Sequence, residues 1–184
     1  MDVTPLECES DAELEAGVEA ITRTWLFRDQ VQKHIMTGLI MAKTGYSHIS
    51  DVDARVAIAL YTALFIALDD PEIFDSAGAQ DFWRGVCDGS LLRSSGILGE
   101  YARIILSMER FYSSFSSNAI LASTLRSLNG QMIGNPQSDV FVEPRRKNFM
   151  EYVREMDGGP EAYAAFIWSK IDFPNEYSYI QVFP

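Results

Sequence analysis

The sequence is poor in cysteine, in basic residues and in long apolar runs. Cys8 and Cys87 are its only cysteines, too few and too far apart for a disulfide scaffold or a zinc site, and a reducing, cytoplasmic setting is expected. Lys and Arg number 15 against 26 acids, and the net charge of −11 opposes a default role on nucleic acid or on an anionic membrane. The longest apolar run, Val56 to Leu68, falls short of the roughly 18 to 20 residues that a bilayer crossing requires. It reads as a buried helix, and no membrane span is expected. Asp2, Glu7, Glu9, Asp11, Glu13, Glu15 and Glu19 all precede the first basic residue, Arg23, which excludes a signal or transit peptide.

Recognisable hydrolase and phosphate-loop patterns are lacking as well. His34 and His48 are solitary, and no Ser or Cys stands in a nucleophile elbow or redox motif, so hydrolase and thiol chemistry are disfavoured. Gly130, Gly134, Gly158 and Gly159 follow no strand-like segment, so they make no phosphate-binding loop.

The chain does hold enough apolar material for a core. With 184 residues, 47% of them hydrophobic and 22% charged, it fits a single domain over 1–184, with 1–20 as an acidic, loose lead. A chain this long buries roughly 70% of its unfolded surface without disulfides or metal. No repeat, low-complexity tract or linker interrupts it. Helix-like segments separated by short Gly, Pro, Asn and Ser breaks give an all-α fold class. Ala12 to Ala42 reads as an interrupted helix closed by Gly45. Asp51 can cap a central helix from Val52 to Leu68 that is apolar nearly all round. Later helices are expected at Ala79 to Cys87, Leu98 to Phe115, Asn118 to Leu128, Arg146 to Met156 and Glu161 to Lys170.

The central helix runs into Asp69-Asp70-Pro71-Glu72-Ile73-Phe74-Asp75. Proline has no N–H and disfavours helical geometry in the residue before it, which places the helix end at Asp69 or Asp70. Two acids at the partially negative end of a helix each lose about 0.3 to 1 kcal/mol and also repel each other. A hard divalent cation, Mg²⁺ above all, would reverse that balance and would itself hold a phosphate-bearing substrate. The plainer alternative is a solvated Asp-Asp-Pro turn. Tyr61, Phe65 and Asp69 recur every four residues, so one helical face leads two rings to a carboxylate, suiting either a dry pocket for a cation or ordinary core.

A second group is Arg154-Glu155-Met156-Asp157-Gly158-Gly159. Arginine grips phosphate with a planar fork, Asp157 can orient it, and glycine admits close backbone approach. A helix C-cap with a surface ion pair is the alternative. Arg145, Arg146 and Lys147 form the one basic cluster and read as a solvated helix start. Trp25, Trp83 and Trp168 read as core.

The run Tyr61-Thr62-Ala63-Leu64-Phe65-Ile66-Ala67-Leu68-Asp69-Asp70, with Asn118-Ala119-Ile120-Leu121-Ala122-Ser123-Thr124-Leu125, Arg154 to Gly158 and Phe166-Ile167-Trp168, resembles the trichodiene synthase family of fungal sesquiterpene cyclases, in particular its longiborneol synthase-like members. The resemblance covers nearly all of the chain after its acidic lead. It implies a class I terpenoid synthase-like helical bundle and a lyase that uses Mg²⁺ to ionise and cyclise farnesyl diphosphate. It further implies that Asp69 is the leading metal ligand, with Asp70 beside it and Glu72 or Asp75 standing in for a third acid, since Ile73 occupies the usual place. By the same resemblance Tyr61 and Phe65 face the substrate. Arg154 senses the diphosphate, Asp157 links to that sensor, Gly158 supplies a carbonyl when the leaving group departs, and Trp168 lies near the active-site half.

The family's second metal motif would follow the region of Tyr179 to Pro184, where this sequence stops. A truncated, catalytically impaired product with an exposed cavity wall and a tendency to self-associate is therefore expected. A non-catalytic helical module that docks on a partner or a lipid is the alternative function.

Overall fold

The computed structural model describes residues 10–134, 147–156 and 159–175. These form helices α1 (Ala12–Thr22), α2 (Arg28–Gly45), α3 (Val52–Ala67), α4 (Pro71–Ala77), α5 (Phe82–Cys87), α6 (Ile97–Ser107), α7 (Ser114–Gly134), α8 (Lys147–Met156) and α9 (Gly159–Phe166). No strand occurs among the described residues, and the all-α expectation holds.

Helix α1 starts where the Asp11 carboxylate accepts a 3.1 Å hydrogen bond from Leu14 N, and it buries Leu14 and Val18. Residues 12–20, expected to be part of a loose lead, are thus helical. Their acids find cations on neighbouring helices: Asp11 pairs with Arg55, Glu15 with Lys43, and Glu19 with Arg28 through two bonds of 3.0 and 2.6 Å. The expected break after α1 is a turn in which Trp25 is buried and stacks on Phe27, ring centres 5.1 Å apart.

Helix α3 is the centre of the bundle. Asp51 caps it through bonds from Asp53 N (2.9 Å) and Ala54 N (3.3 Å), as its short side chain before an apolar run predicts. Residues Ala54, Val56 to Leu64 and Ala67 are all buried, because α1, α2 and α6 each pack on a different side. Helix α2 approaches so closely that a Cβ on Gly38 would stand 2.1 Å from the carbonyl oxygen of Ala59. Only glycine permits that approach.

The segment expected as one helix from Leu98 to Phe115 is divided. Helix α6 gives way to a tight turn at Met108–Arg110, and a new helix begins at Ser114, with Ser113 Oγ accepting from Ser116 N at 3.3 Å. Serine hydroxyls compete for backbone donors in this way and favour a fresh helix start. Helix α7 extends beyond the expected 118–128 at both ends, and its buried face mixes Ser116, Ser123, Thr124 and Ser127 with Ile120 and Leu128. Ser123 Oγ receives Ala162 N of α9 at 3.1 Å. Trp83, expected in the core, is 55% exposed, since α5 turns Phe82 and Gly85 inward instead.

Candidate functional site

The last turn of α3 tightens rather than continuing. Asp69 N bonds Ile66 O and Asp70 N bonds Ala67 O, each at 3.2 Å, a three-residue spacing that ends the regular helix at Ala67, two or three residues before the expected stop. Asp69 is left exposed on that turn. Its Oδ1 accepts a 2.6 Å hydrogen bond from Gln131 Nε2 of α7.

Asp70 has a local task. Its backbone is extended, and its Oδ1 accepts from Glu72 N at 2.9 Å, capping α4 with Pro71 in the first turn. Proline suits that position because the missing N–H would have no partner there. Glu72 follows in the first turn, where a negative charge is favourable. Ile73 and Phe74 anchor α4 in the core, leaving Glu72 and Asp75 exposed. Ile73 occupies the usual place of a third acid and is 6% exposed: a core side chain has taken the position. Among the described residues no three His, Cys, Asp or Glu side chains gather as a metal-binding group, so Asp69, Asp70, Glu72 and Asp75 do not form a ready cage.

The fit to Mg²⁺ is consequently a partial one. That ion is commonly held by one or two carboxylates together with substrate phosphates and waters. Asp69, exposed at the end of α3, suits such a shared site, whereas Asp70 has already committed an oxygen to its cap.

Beneath Asp69 lies a cavity of about 10 Å³ lined by Phe65, Leu68, Tyr101, Thr124, Ser127, Leu128 and Gln131. Tyr61 is fully buried one turn further in. Its ring meets those of Phe65 (5.8 Å), Tyr101 (5.3 Å), Tyr163 (6.3 Å) and Phe166 (5.0 Å). Its hydroxyl lies 2.9 Å from Thr124 Oγ1, which in turn donates to Ile120 O at 2.8 Å. Burial pushes the phenols of Tyr61 and Tyr101 well above their ordinary range, so both are neutral hydroxyls. Of the two rings singled out by spacing, Tyr61 is a packed core group and Phe65, half-buried, reaches the cavity beside Asp69.

Arg154 is exposed on α8. The end of that helix rests on α7, where a Cβ on Gly130 would stand 3.2 Å from Met156 O. Gly130 precedes Gln131, the residue bonded to Asp69, so consecutive α7 residues receive the end of α3 and the end of α8. Asp157 and Gly158 lie outside the described residues, as do Arg145 and Arg146. Trp168 packs edge-on against Phe173 at 5.0 Å. Neither Gln131 nor Tyr101 belongs to the motifs that the sequence presents. Gln131 is 62 positions from Asp69, and no local pattern marks it.

No protein-family model matches the chain. It is 41% identical over 174 residues to "Monoterpene synthase 25" of Postia placenta, covering 95% of this chain and 52% of that protein. Over 182 residues it is 41% identical to "Terpene synthase 29" of the same fungus, covering 97% and 53%. A more distant similarity, 25% over 147 residues, is to an alpha-cuprenene synthase of Coprinopsis cinerea, covering 80% and 44%. The chain thus spans about half the length of the curated relatives it matches. These similarities support the terpene synthase family.

Proposed function

We propose that this chain carries the first metal-binding carboxylate and the diphosphate-sensing arginine of a terpene cyclase. The observation that carries the reading is the meeting at Gly130-Gln131 of α7, which holds the Asp69 carboxylate at the end of the apolar α3 and receives the end of the helix bearing Arg154. Similarity to fungal terpene synthases supports it. The proposed substrate is farnesyl diphosphate, and the proposed product a cyclised sesquiterpene, with a place near the longiborneol synthase-like members of the trichodiene synthase family. Similarity to a monoterpene synthase favours geranyl diphosphate as the second substrate to try.

In this reading Asp69 would hold Mg²⁺, with Glu72 or Asp75 of α4 as the neighbouring acid. The ion would neutralise the departing diphosphate, whose loss turns the prenyl chain into an allylic cation. Gln131 holds the carboxylate from the side. Arg154 supplies a permanent charge with donors matched to diphosphate oxygens. Asp157 and Gly158 are proposed to orient that arginine and the leaving group. Phe65, half-buried beside Asp69, presents an aromatic face to the cation, worth about 0.5 to 2 kcal/mol, and Tyr61 packs behind it in the core. Residues 1–184 are proposed to act as one domain in the cytoplasm; no described helix is long and apolar enough to cross a membrane.

The test is incubation with farnesyl or geranyl diphosphate and Mg²⁺, followed by analysis of the hydrocarbon products. Any cyclic terpene that forms is expected to disappear in Asp69→Ala and on chelation. A product retained by Asp69→Ala contradicts the reading, and binding of a protein or lipid partner without turnover would favour a non-catalytic module.

A further inference from the structure

Helix α2 carries two apolar faces, and the bundle covers one of them. Val31, Ile35, Gly38 and Ala42 are buried on the side that meets α3, whereas Met36 and Ile40 are 51% and 52% exposed. The second face opens on a groove of about 650 Å³ between α2 and α1, with Ala12 and Ala16 on one wall and Met36, Leu39 and Ile40 on the other. The small side chains of α1 leave that space. Glu15 pairs with Lys43 and Glu19 with Arg28, early with late and late with early, so the two helices run antiparallel. Large apolar side chains gathered at a groove, rather than scattered singly, mark an interaction surface.

Charge selects the occupant. With a net charge of −11, one copy of the chain repels another over most of its surface. The α1–α2 hairpin is different, because its two edges have opposite sign. Helix α1 carries Glu13, Glu15 and Glu19 and no base, while α2 carries Arg28, Lys33 and Lys43 against Asp29 alone. Lys33, Met36 and Ile40 share one side of α2 by their spacing of three and four residues. Lys33 is exposed, and its ammonium has no ion-pair partner among the described residues. A surface that is acidic along one edge and basic along the other complements itself under a two-fold rotation, which lays each α1 edge against the α2 edge of the other copy. An anionic lipid or nucleic acid would instead meet the acids of α1 with repulsion.

We propose that the α1–α2 groove is the interface of a two-fold homodimer, in which Met36 and Ile40 of each copy enter the groove of the other and Lys33 of each faces the acids of the opposite α1. Ridge-into-groove packing of this kind buries the exposed face of α2 and gives Lys33 a countercharge. The proposal goes beyond the catalytic reading and does not depend on it, since the groove and the two charged edges stand whatever the chain acts on.

Analytical ultracentrifugation of the full chain from about 1 to 100 μM, a range that spans weak and firm association, tests it. A dimer is expected for the wild type, and Met36→Glu combined with Ile40→Glu is expected to be monomeric with unchanged helical content by circular dichroism. A wild-type monomer throughout overturns the proposal, whether the groove then proves to take a lipid, another protein or nothing. A dimer that survives the double substitution also overturns it, by placing the contact on another surface. Lys33→Glu removes no buried group and reads the charge pairing separately. It should weaken association at least about fivefold at low salt and less at high salt, and unchanged association at low salt overturns the proposed arrangement.

Discussion

Gln131 of α7 donates a 2.6 Å hydrogen bond to the Oδ1 atom of Asp69 at the end of α3, joining the two helices. The contact is partly solvated, so its effect on global stability is small, about 1 kcal/mol or less. Its effect on the carboxylate is larger, because it removes rotational freedom from a group proposed to hold a cation. Gln131→Ala is expected to shift Tm by less than about 4 °C while weakening Mg²⁺-dependent pyrophosphate binding several-fold. Unchanged binding would make the bond purely structural.

Asp70 separates capping from charge. Its carboxylate accepts from Glu72 N, a role that asparagine fills as well as aspartate. Asp70→Asn should leave the urea midpoint nearly unchanged, whereas Asp70→Ala should lose about 0.5 to 2 kcal/mol. Equal losses in both variants would place the function of Asp70 in its charge instead.

Gly38 is the tightest point of the bundle. A methyl group there would meet Ala59 O at 2.1 Å and Ala63 N at 3.2 Å, and backbone cannot give way as a flexible side chain does. Gly38→Ala should cost at least about 2 kcal/mol and drive α2 from α3. At Gly45 the nearest atom to an added Cβ is Met41 Sδ at 3.8 Å, so Gly45→Ala should stay within about 1 kcal/mol of wild type. Equal losses at both positions in a denaturant titration would overturn the close-approach account.

His34 makes stability fall on mild acidification. It is 8% exposed, and burial holds its pKa below the ordinary 6.5, with Lys33 adding to the effect and Asp70 opposing it. The unfolded chain takes up a proton as pH falls through 6.5 while the folded chain resists, so the unfolded state gains relative stability over that window. His34→Gln should flatten the loss of stability between neutral pH and pH 5. An unaltered slope would show that other groups cause it.

Much of the helical plan was legible in the sequence. Asp51, Gly45 and the unbroken apolar run of α3 are local signals, and each marks what it predicts. Helix α4 is absent from the expected set although Asp70 and Pro71 form a recognisable helix start, because seven residues are too few to show a helical period. Helix α7 exceeds its expected bounds: its buried face includes Ser116, Ser123, Thr124 and Ser127, so its hydrophobic period is faint. The candidate site was legible only as residue types at the end of α3. That Ile73 belongs to the core, that Tyr61 is enclosed by four rings and that Gln131 reaches Asp69 depend on contacts between distant segments, which no local pattern carries.

The most direct test of the central claim is calorimetric titration of Mg²⁺ with inorganic pyrophosphate into the wild-type chain and into Asp69→Asn. The account predicts metal-dependent binding by the wild type and at least about tenfold weaker binding by the variant, equivalent to about 1.4 kcal/mol. Identical titrations of the two proteins would contradict it.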